Sequence, residues 1–309
     1  MKQKDIKDIL ADILKLGDLG SRVICRPKLA APWGLQFTPK KKAFFHIIKQ
    51  GSCLFFENQT SKGIALHKGD LLFIPKVNHY RILSAKEVQG NNYIEEIARV
   101  HKLVNINTKE TTQMLCGSYE LKSNMSLPFF SLLPNYIHLS NEQIKNFPEL
   151  DHTIQMLRRE DSANLIGGDL VIARMLDILL ILIVRYWLDT SKDGCTGWLL
   201  GTLDTEVAEV LSIIHKRPQE KLTIERLAKE TAMSRTKLLN KFTKLVGISP
   251  IQYLTNWRID LSKQLLSSTE LSILEISHSV GYESEASFGR AFKKLEKIPP
   301  GKFRSSLKL

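Results

Sequence analysis

Two segments in the last third of the chain repeat one pattern of capping and apolar residues, and this repeat constrains the fold more than any other feature. In the first segment Thr223 can cap one helix, a turn follows at 231–233, and Ser234 can cap a second helix. Gly247 can end that second helix. The residues predicted to face inward, at spacings of three and four, are Ile224, Leu227 and Ala228, then Leu238, Phe242 and Leu245. The segment therefore predicts two short helices that cross at a tight turn.

The second segment follows at a distance of 50 residues, measured from Ser234 to Ser284. Gly281 stands in its turn, where a left-handed backbone costs little only for glycine. Its inward residues are Ile273, Ile276, Ser277, Phe288, Phe292 and Leu295. Residues 250–266 predict a joining helix with proline in its first turn. One such pattern is a weak signal, but two together indicate an all-α domain with two helix-turn-helix units.

This domain resembles the DNA-binding domain of the AraC/XylS family of transcription regulators over residues 205–305. The residues that carry the resemblance are Leu227-Ala228, Met233-Ser234-Arg235, Gly247-Ile248-Ser249-Pro250, Arg258, Val280-Gly281-Tyr282, Phe288, Phe292-Lys293-Lys294 and Pro299-Pro300. Ala232 stands where the first turn of the family often has glycine, which predicts a slightly strained turn. Ile298 also replaces a glycine that is usual in the family.

The resemblance implies that the second helix of each unit enters the major groove of double-stranded promoter DNA. It also implies RNA polymerase as a partner and activation as the common mode. The residues predicted to meet base edges are Arg235, Thr236, Leu239 and Asn240 in the first unit, and Glu285, Ala286, Ser287 and Arg290 in the second. Asn240 can bond adenine at two points, and Arg290 can bond guanine. Glu285 can accept from cytosine, or simply lie where a helix N-terminus favours a carboxylate.

Lysines on the same helices are predicted to contact phosphates, which position a protein without reading sequence. They are Lys237, Lys241, Lys244, Lys293 and Lys294. The formal net charge of +12 fits a polyanionic partner, and residues 203–309 hold 18 basic and 12 acidic side chains. The two recognition helices would enter successive major grooves about 34 Å apart, so one chain covers an asymmetric site. If the protein forms a homodimer, we expect its DNA sites to be arranged as direct repeats.

Residues 33–133 contain short apolar runs separated by Gly, Pro and Asn, which is typical of a small barrel or sandwich. The predicted strands are 34–37, 44–49, 53–57, 71–75, 79–83, 114–121 and 129–132, with helices at 3–19 and 148–189. The predicted fold class is α+β with two domains. These are a cupin-like β-barrel with flanking helices at 1–190, a linker at 191–202 and the DNA-binding domain at 203–309.

The barrel resembles the cupin-like sensor domain of one AraC subfamily. The stretches that carry this resemblance are Ala31-Pro32-Trp33-Gly34-Leu35, Phe45-His46, Gly51-Ser52-Cys53-Leu54, Gly69-Asp70-Leu71-Leu72-Phe73-Ile74-Pro75, His79 and Leu115-Cys116-Gly117. The resemblance implies control by an effector that the sequence does not identify: a small molecule, a metal or an oxidant. It also implies a bacterial-type regulator without enzymatic activity.

The resemblance also brings Cys25, His46, His79 and Cys116 near one cavity, and three interpretations stay open. Two Cys and two His would suit tetrahedral zinc, the one cofactor considered. Cys25 and Cys116 could instead be redox thiols. The third interpretation is that these cysteines are small core residues and the histidine is a satisfied core side chain.

Two alternatives to a regulator are a metal-dependent cupin enzyme fused to a DNA-targeting domain and an architectural DNA-binding protein. Cupin enzymes normally carry His-x-His among their metal ligands, and this chain has none. Helix 169–188 is strongly apolar but is interrupted by Asp169, Arg174, Asp177 and Arg185, so we expect a core or dimer helix and no membrane partner. The absence of an apolar signal core near the N-terminus and of any CxxC predicts a cytoplasmic protein.

Overall fold

The contacts of the computed structural model divide the chain into two compact units. The sheet unit comprises Leu19–Glu120 and Leu133–Lys192, and the helical unit comprises Met1–Asp18, Leu121–Leu132 and Asp193–Leu309. Within these spans the structure describes residues 8–37, 42–58, 62–76, 79–85, 93–94, 111–121, 129–163, 165–190 and 197–307.

The strands of the sheet unit form two sheets. In chain order they are β1 (Leu19–Cys25), β2 (Lys28–Ala30), β3 (Gly34–Phe37), β4 (Ala43–Gln50), β5 (Ser52–Phe56), β6 (Ile64–His67), β7 (Leu71–Ile74), β8 (Tyr80–Leu83), β9 (Tyr93–Ile94), β10 (Thr111–Leu121) and β11 (Ile137–Leu139). The larger sheet has the order β1-β10-β4-β7-β11, with β2 also paired to β10. The smaller sheet has the order β6-β5-β8-β3-β9.

One apolar core lies between the two sheets, because alternate residues of each strand point to the same side. From the larger sheet it receives Cys25, Phe44, Ile48, Leu72, Ile74, Met114 and Cys116, and from the smaller sheet Leu35, Phe37, Cys53, Phe55, Tyr80 and Ile82. Phe37 and Tyr80 stack with ring centroids 4.7 Å apart. This sheet-rich, cupin-like arrangement confirms the predicted fold class of the N-terminal domain.

The helices, in chain order, are α1 (Ile9–Leu16), α2 (Phe129–Leu132), α3 (Asn141–Lys145), α4 (Pro148–Ala163), α5 (Gly168–Thr190), α6 (Trp198–Gly201), α7 (Thr205–Lys216), α8 (Ile224–Glu230), α9 (Arg235–Val246), α10 (Pro250–Ser268), α11 (Ile273–Ser279), α12 (Glu285–Glu296) and α13 (Pro300–Ser306). Of these, α3, α4 and α5 belong to the sheet unit. The Ser21 hydroxyl donates to Asp177 on α5 at 2.7 Å, and the Tyr119 hydroxyl donates to the Leu176 carbonyl at 2.9 Å. The apolar helix predicted at 169–188 therefore packs on β1 and β10. Among the described residues, no helix combines the length and apolarity needed to cross a membrane.

The helical unit contains both predicted helix-turn-helix pairs, α8–α9 and α11–α12, joined by α10. The second pair packs around one core with α10, formed by Ile259, Leu266, Ile276, Val280, Phe288 and Phe292. The all-α domain with two helix-turn-helix units is thus confirmed.

Helix α1 also belongs to the helical unit, although the expected boundaries place it in the first domain. The Nδ1 atom of His215 on α7 lies 3.1 Å from Asp12 Oδ2 on α1. The other ring nitrogen of His215 bonds the Tyr253 hydroxyl at 2.9 Å, and the imidazole stacks on Trp257 with centroids 3.9 Å apart. An acidic side chain from the start of the chain thus completes a buried polar network between α7 and α10.

Several local predictions differ from the structure. The strand expected at 129–132 is wrong: these residues form α2, where the fully buried Phe129 ring lies 6.2 Å from the Trp198 ring, so packing overrides the β propensity of the apolar run. In the expected linker, residues 198–201 form α6, and residues 191–196 lie outside the described part. The helix predicted at 3–19 is described over Ile9–Leu16. Strands β1, β2, β6, β9 and β11 were not predicted.

Candidate DNA-binding surface and thiol pair

The first helix-turn-helix unit is built by the residues that the sequence singles out. The Ser234 hydroxyl accepts from the Lys237 amide at 3.2 Å and begins α9, and Gly247 ends the helix with a left-handed φ of +85°. Leu227, Leu238 and Phe242 are fully buried, which fixes the rotation of α9. Ala232 has a φ of +52°, the left-handed conformation behind the expected strain in the turn.

The second unit repeats this construction. Gly281 has a φ of +90° in the turn, and the Ser284 hydroxyl accepts from the Ser287 amide at 3.2 Å. Phe288 and Phe292 are fully buried on the inner face of α12. Lys297 ends the helix with a φ of +67°. The two helices are therefore presented by equivalent caps and equivalent apolar anchors.

Most of the residues predicted to contact bases lie exposed on one side of their helices: Arg235, Thr236, Leu239, Asn240, Glu285, Ala286 and Arg290. Leu239 is a large apolar side chain with 37% of its surface exposed. Ser287 differs, because it is half-buried and its hydroxyl donates to the Ser284 carbonyl at 2.8 Å. Its hydroxyl is thus engaged in the helix cap and is less available to a base edge.

Three of the four basic residues of α9 form ion pairs within the helical unit, and the fourth, Lys244, is exposed. Lys237 and Lys241 each lie 2.6 Å from a carboxylate oxygen of Glu206, and Lys241 also lies 2.8 Å from Asp204. Arg235 lies 2.7 Å from Glu225. Hydrogen bonds from Lys237 and Lys241 lower the pKa of the Glu206 carboxyl. A phosphate contact by either lysine would therefore compete with the acidic first turn of α7, which the sequence-based assignment did not anticipate.

The basic residues of α12 are different. Arg290, Lys293 and Lys294 are exposed, and within the described ranges no ion pair involves any of them. The second recognition helix therefore presents its positive charge to solvent, whereas the first has most of its charge compensated.

Arg258 on α10 contacts both the turn between α11 and α12 and the loop that follows α7. Its guanidinium donates to the Pro218 carbonyl at 2.7 Å and the Glu220 carbonyl at 2.8 Å, and lies 5.5 Å from the centre of the Tyr282 ring. A Cβ at Gly281 would lie 2.7 Å from the Arg258 guanidinium. Because this arginine contacts the turn between α11 and α12 as well as the segment before α8, it helps to fix the two units relative to each other.

In the sheet unit the structure brings together two of the four predicted Cys and His residues. Cys25 ends β1 and Cys116 lies on the neighbouring strand β10, and both are 1% exposed. A hydrogen bond joins the two thiols. This bond lowers the pKa of the Cys25 thiol, against a raising effect of burial, and the Arg26 charge lowers it further. Burial is the main cause that raises the pKa of Cys116 well above its usual range.

His46 and His79 do not complete a ligand set with this pair. His46 faces Cys116 across the β4–β10 register, is fully buried, and its Nε2 lies 2.8 Å from the Tyr80 hydroxyl. Burial lowers the pKa of His46 to about 3, so the ring is neutral. His79 is half-buried just before β8. Over the described ranges, no group of three or more His, Cys, Asp or Glu side chains is placed to hold a metal ion.

Comparison with known proteins gives the same two-part organisation. A family described as cupin matches residues 8–189, and a family described as helix-turn-helix domain matches residues 227–306. The chain is 25% identical over 298 residues to a putative AraC-like transcription regulator of Streptomyces antibioticus, with 96% of this chain and 98% of the relative covered. It is 26% identical over 303 residues to the HTH-type transcriptional regulator MtrA of Neisseria gonorrhoeae, with 96% and 98% covered.

A third relative is the RCS-specific HTH-type transcriptional activator RclR of Escherichia coli, 27% identical over 224 residues, with 71% of this chain and 76% of the relative covered. Among solved structures, the chain is similar to the DNA-binding domain of AdpA in complex with a target DNA. That match has 26% identity and a TM-score of 0.32, and covers 33% of this chain and 91% of the other. The chain belongs to the AraC/XylS family of DNA-binding transcription regulators, with a cupin domain in its N-terminal part.

Proposed function

We propose that this protein activates transcription from specific promoters by placing α9 and α12 in successive major grooves. The observation that carries the proposal is the matched pair of recognition helices, each with buried apolar anchors and an exposed polar face. Arg290 is the sharpest candidate for reading a base, because its side chain is exposed and no ion pair among the described residues holds it. Guanine is the base that an arginine bonds at two points.

The test uses the tightest duplex selected from a randomised library. Arg290→Ala should weaken binding to that duplex by about 1–3 kcal/mol and relax the preference at one base pair. Lys294→Ala, on the same helix, is the matched control and should weaken binding to all sequences alike, with a smaller dependence on salt. Equal weakening by Arg290→Ala on every sequence would assign Arg290 to the phosphate backbone instead.

We also propose that the cupin domain controls this activity and that the protein acts in the cytoplasm with RNA polymerase. The Escherichia coli relative is named an activator, which supports activation rather than repression of transcription by this protein. A promoter–reporter fusion that carries the selected site distinguishes the two, because an activator raises expression of the reporter and a repressor lowers it.

A homodimer is the assembly we expect, formed through the exposed apolar side chains of α5. Leu170, Val171 and Ile178 are 63%, 40% and 50% exposed on this helix. Several large apolar side chains exposed on one helix are a candidate protein interface. The metal-dependent cupin enzyme stays the alternative function, and no observation on the described residues favours it.

A further inference from the structure

The larger sheet of the cupin domain contains a pair of thiols in direct contact. Cys25 is the last residue of β1, Cys116 lies in the middle of β10, and the two strands are neighbours in the sheet. The Cys116 thiol donates a hydrogen bond to Cys25. The Met114 amide donates to the Pro27 carbonyl at 3.1 Å, so the segment that follows Cys25 lies beside the segment that precedes Cys116, and both thiols belong to the same core. Residues that face each other on neighbouring strands lie at a separation that a disulfide can span.

The two thiols have unequal surroundings. Cys25 accepts the hydrogen bond and is followed by Arg26, whose guanidinium is held by Asp161 of α4. The side chain of Asp161 is 1% exposed and also accepts a hydrogen bond from Lys49 at 2.8 Å, so the charges around the strand end are fixed in place. The hydrogen bond and the Arg26 charge together lower the pKa of Cys25, whereas burial keeps Cys116 protonated. Cys25 is therefore the better nucleophile of the pair.

We propose that Cys25 and Cys116 form a reversible dithiol–disulfide switch that controls DNA binding, with Cys25 as the thiol that reacts first with an oxidant. This inference rests on the proposed function as a regulator. It selects an oxidant of the hydroperoxide class from the effectors that the sequence leaves open.

The chemistry proceeds in two steps. The Cys25 thiolate attacks the terminal oxygen of a hydroperoxide, an S–O bond forms, the O–O bond breaks, and the leaving alkoxide takes up a proton to depart as an alcohol, or as water for hydrogen peroxide. The sulfur is now a sulfenic acid. The Cys116 sulfur then attacks the Cys25 sulfur, the S–S bond forms, the S–O bond breaks, and the hydroxyl departs as water with the Cys116 proton. In total two thiols lose two electrons and two protons, and the hydroperoxide accepts them.

The surroundings of Cys53 differ from those of the Cys25–Cys116 pair. It lies in the same core and is 3% exposed, but burial, with the charge of Asp70, raises its pKa to about 12. A thiol that stays protonated is a poor nucleophile. Cys53 is therefore a matched control for burial without activation.

The chain itself offers a route from the thiol pair to the helical unit. Strand β1 begins at Leu19, and only Gly17 and Asp18 separate it from α1. Helix α1 is held in the helical unit through Asp12 and the buried His215. A disulfide at Cys25 that shifts β1 against β10 thus acts on the same short segment that carries Asp12.

The experiment uses the full-length protein and duplexes selected from a randomised library with reduced and with oxidised protein. Hydrogen peroxide should remove two of the four thiols of the wild type, give a Cys25–Cys116 linked peptide by mass spectrometry, and change the affinity for the selected duplex at least ten-fold. Dithiothreitol should reverse both effects. Cys53→Ser should respond like the wild type, and Cys25→Ser should lose no thiols. Cys116→Ser should accumulate a sulfenic acid on Cys25 that dimedone traps.

The linked peptide is measured on the wild type, so the test holds even where a serine variant fails to fold. Absence of that peptide, or sulfenic acid formation at Cys53 before Cys25, would overturn the switch. A disulfide that forms without any change in affinity would also overturn it and would leave the regulator intact. Failure of both redox forms to select any sequence would instead contradict the proposed function.

Discussion

At the scale of single residues, Ala232 and Gly281 occupy the same place in the two turns, five residues after Leu227 and Ile276 respectively, and both have positive φ. A left-handed conformation costs an alanine about 1–2 kcal/mol in the folded protein, and glycine avoids this cost. Glycine also gives the unfolded chain more conformational entropy, which offsets about 0.5–1 kcal/mol of that gain. Ala232→Gly should therefore raise the free energy of unfolding by roughly 0.5–1 kcal/mol. Gly281→Ala should lower it by ~2 kcal/mol or more, because its Cβ would also meet the Gln219 backbone at 2.7 Å. Urea denaturation of both variants checks the signs, and a loss of stability in Ala232→Gly would contradict this account.

His46 should make the sheet unit sensitive to acid. Its pKa is about 3 in the folded protein against 6.5 in the unfolded chain, so between these values the unfolded chain binds more protons and stability falls as the pH falls. From pH 7.5 to 5.5 this one group should cost about 1.4 kcal/mol of unfolding free energy. His46→Gln keeps a polar partner for Tyr80 but does not titrate. The variant should therefore lose about 1.4 kcal/mol less unfolding free energy than the wild type between about pH 7.5 and 5.5. Urea denaturation of both proteins at the two pH values is the measurement, and identical losses would exclude His46 as the cause.

At the scale of elements, a polar contact should contribute to the docking of α1 beside its buried apolar side chains. Asp12→Ala would remove the carboxylate that lies 3.1 Å from Nδ1 of the buried His215, and we expect a loss of about 1–2 kcal/mol from the stability of the helical unit. Lys15→Ala changes an exposed residue of the same helix and should have little effect. Equal stability of the two variants in urea would mean that the apolar face of α1 alone holds it.

The ion pairs between α7 and α9 should limit the affinity for DNA. Glu206→Gln removes the ion-pair partner of Lys237 and one of the two partners of Lys241, which still lies 2.8 Å from Asp204. The variant should bind DNA more tightly by up to about five-fold. Glu209→Gln removes the same charge from the same helix, at a residue for which no ion pair occurs within the described ranges. Affinities are compared at low salt, where phosphate contacts are strongest. The same gain in both variants would point to net charge alone.

At the scale of the whole molecule, assembly should depend on the apolar face of α5. Ile178→Glu places a carboxylate in that face and should turn a dimer into a monomer in sedimentation velocity. Leu274→Glu is the matched control, because Leu274 on α11 is 47% exposed against 50% for Ile178. A dimer that survives Ile178→Glu would place the interface elsewhere.

Sequence reasoning predicted the recognition helices best, because caps such as Ser234 and anchors such as Phe242 act over one or two turns of a single helix. It was less successful with β1 and β11, whose short runs lack a clear period and form strands only through pairing with distant partners. The engagement of Lys237 and Lys241 was also missed, since an acidic first turn more than 30 residues earlier in the chain gives no local signal.

By itself the sequence determined the family, the two-part organisation and the outward faces of α9 and α12, because the spacing of apolar residues along a helix fixes which side is buried. Only the tertiary structure decided which distant groups meet. Two contacts join residues far apart in the chain: the hydrogen bond from Cys116 to Cys25, and the attachment of α1 through Asp12 and His215. The positive charge of α12 stays exposed because no distant carboxylate among the described residues reaches it. Such contacts depend on strand pairing and helix packing, and no spacing along the sequence encodes them.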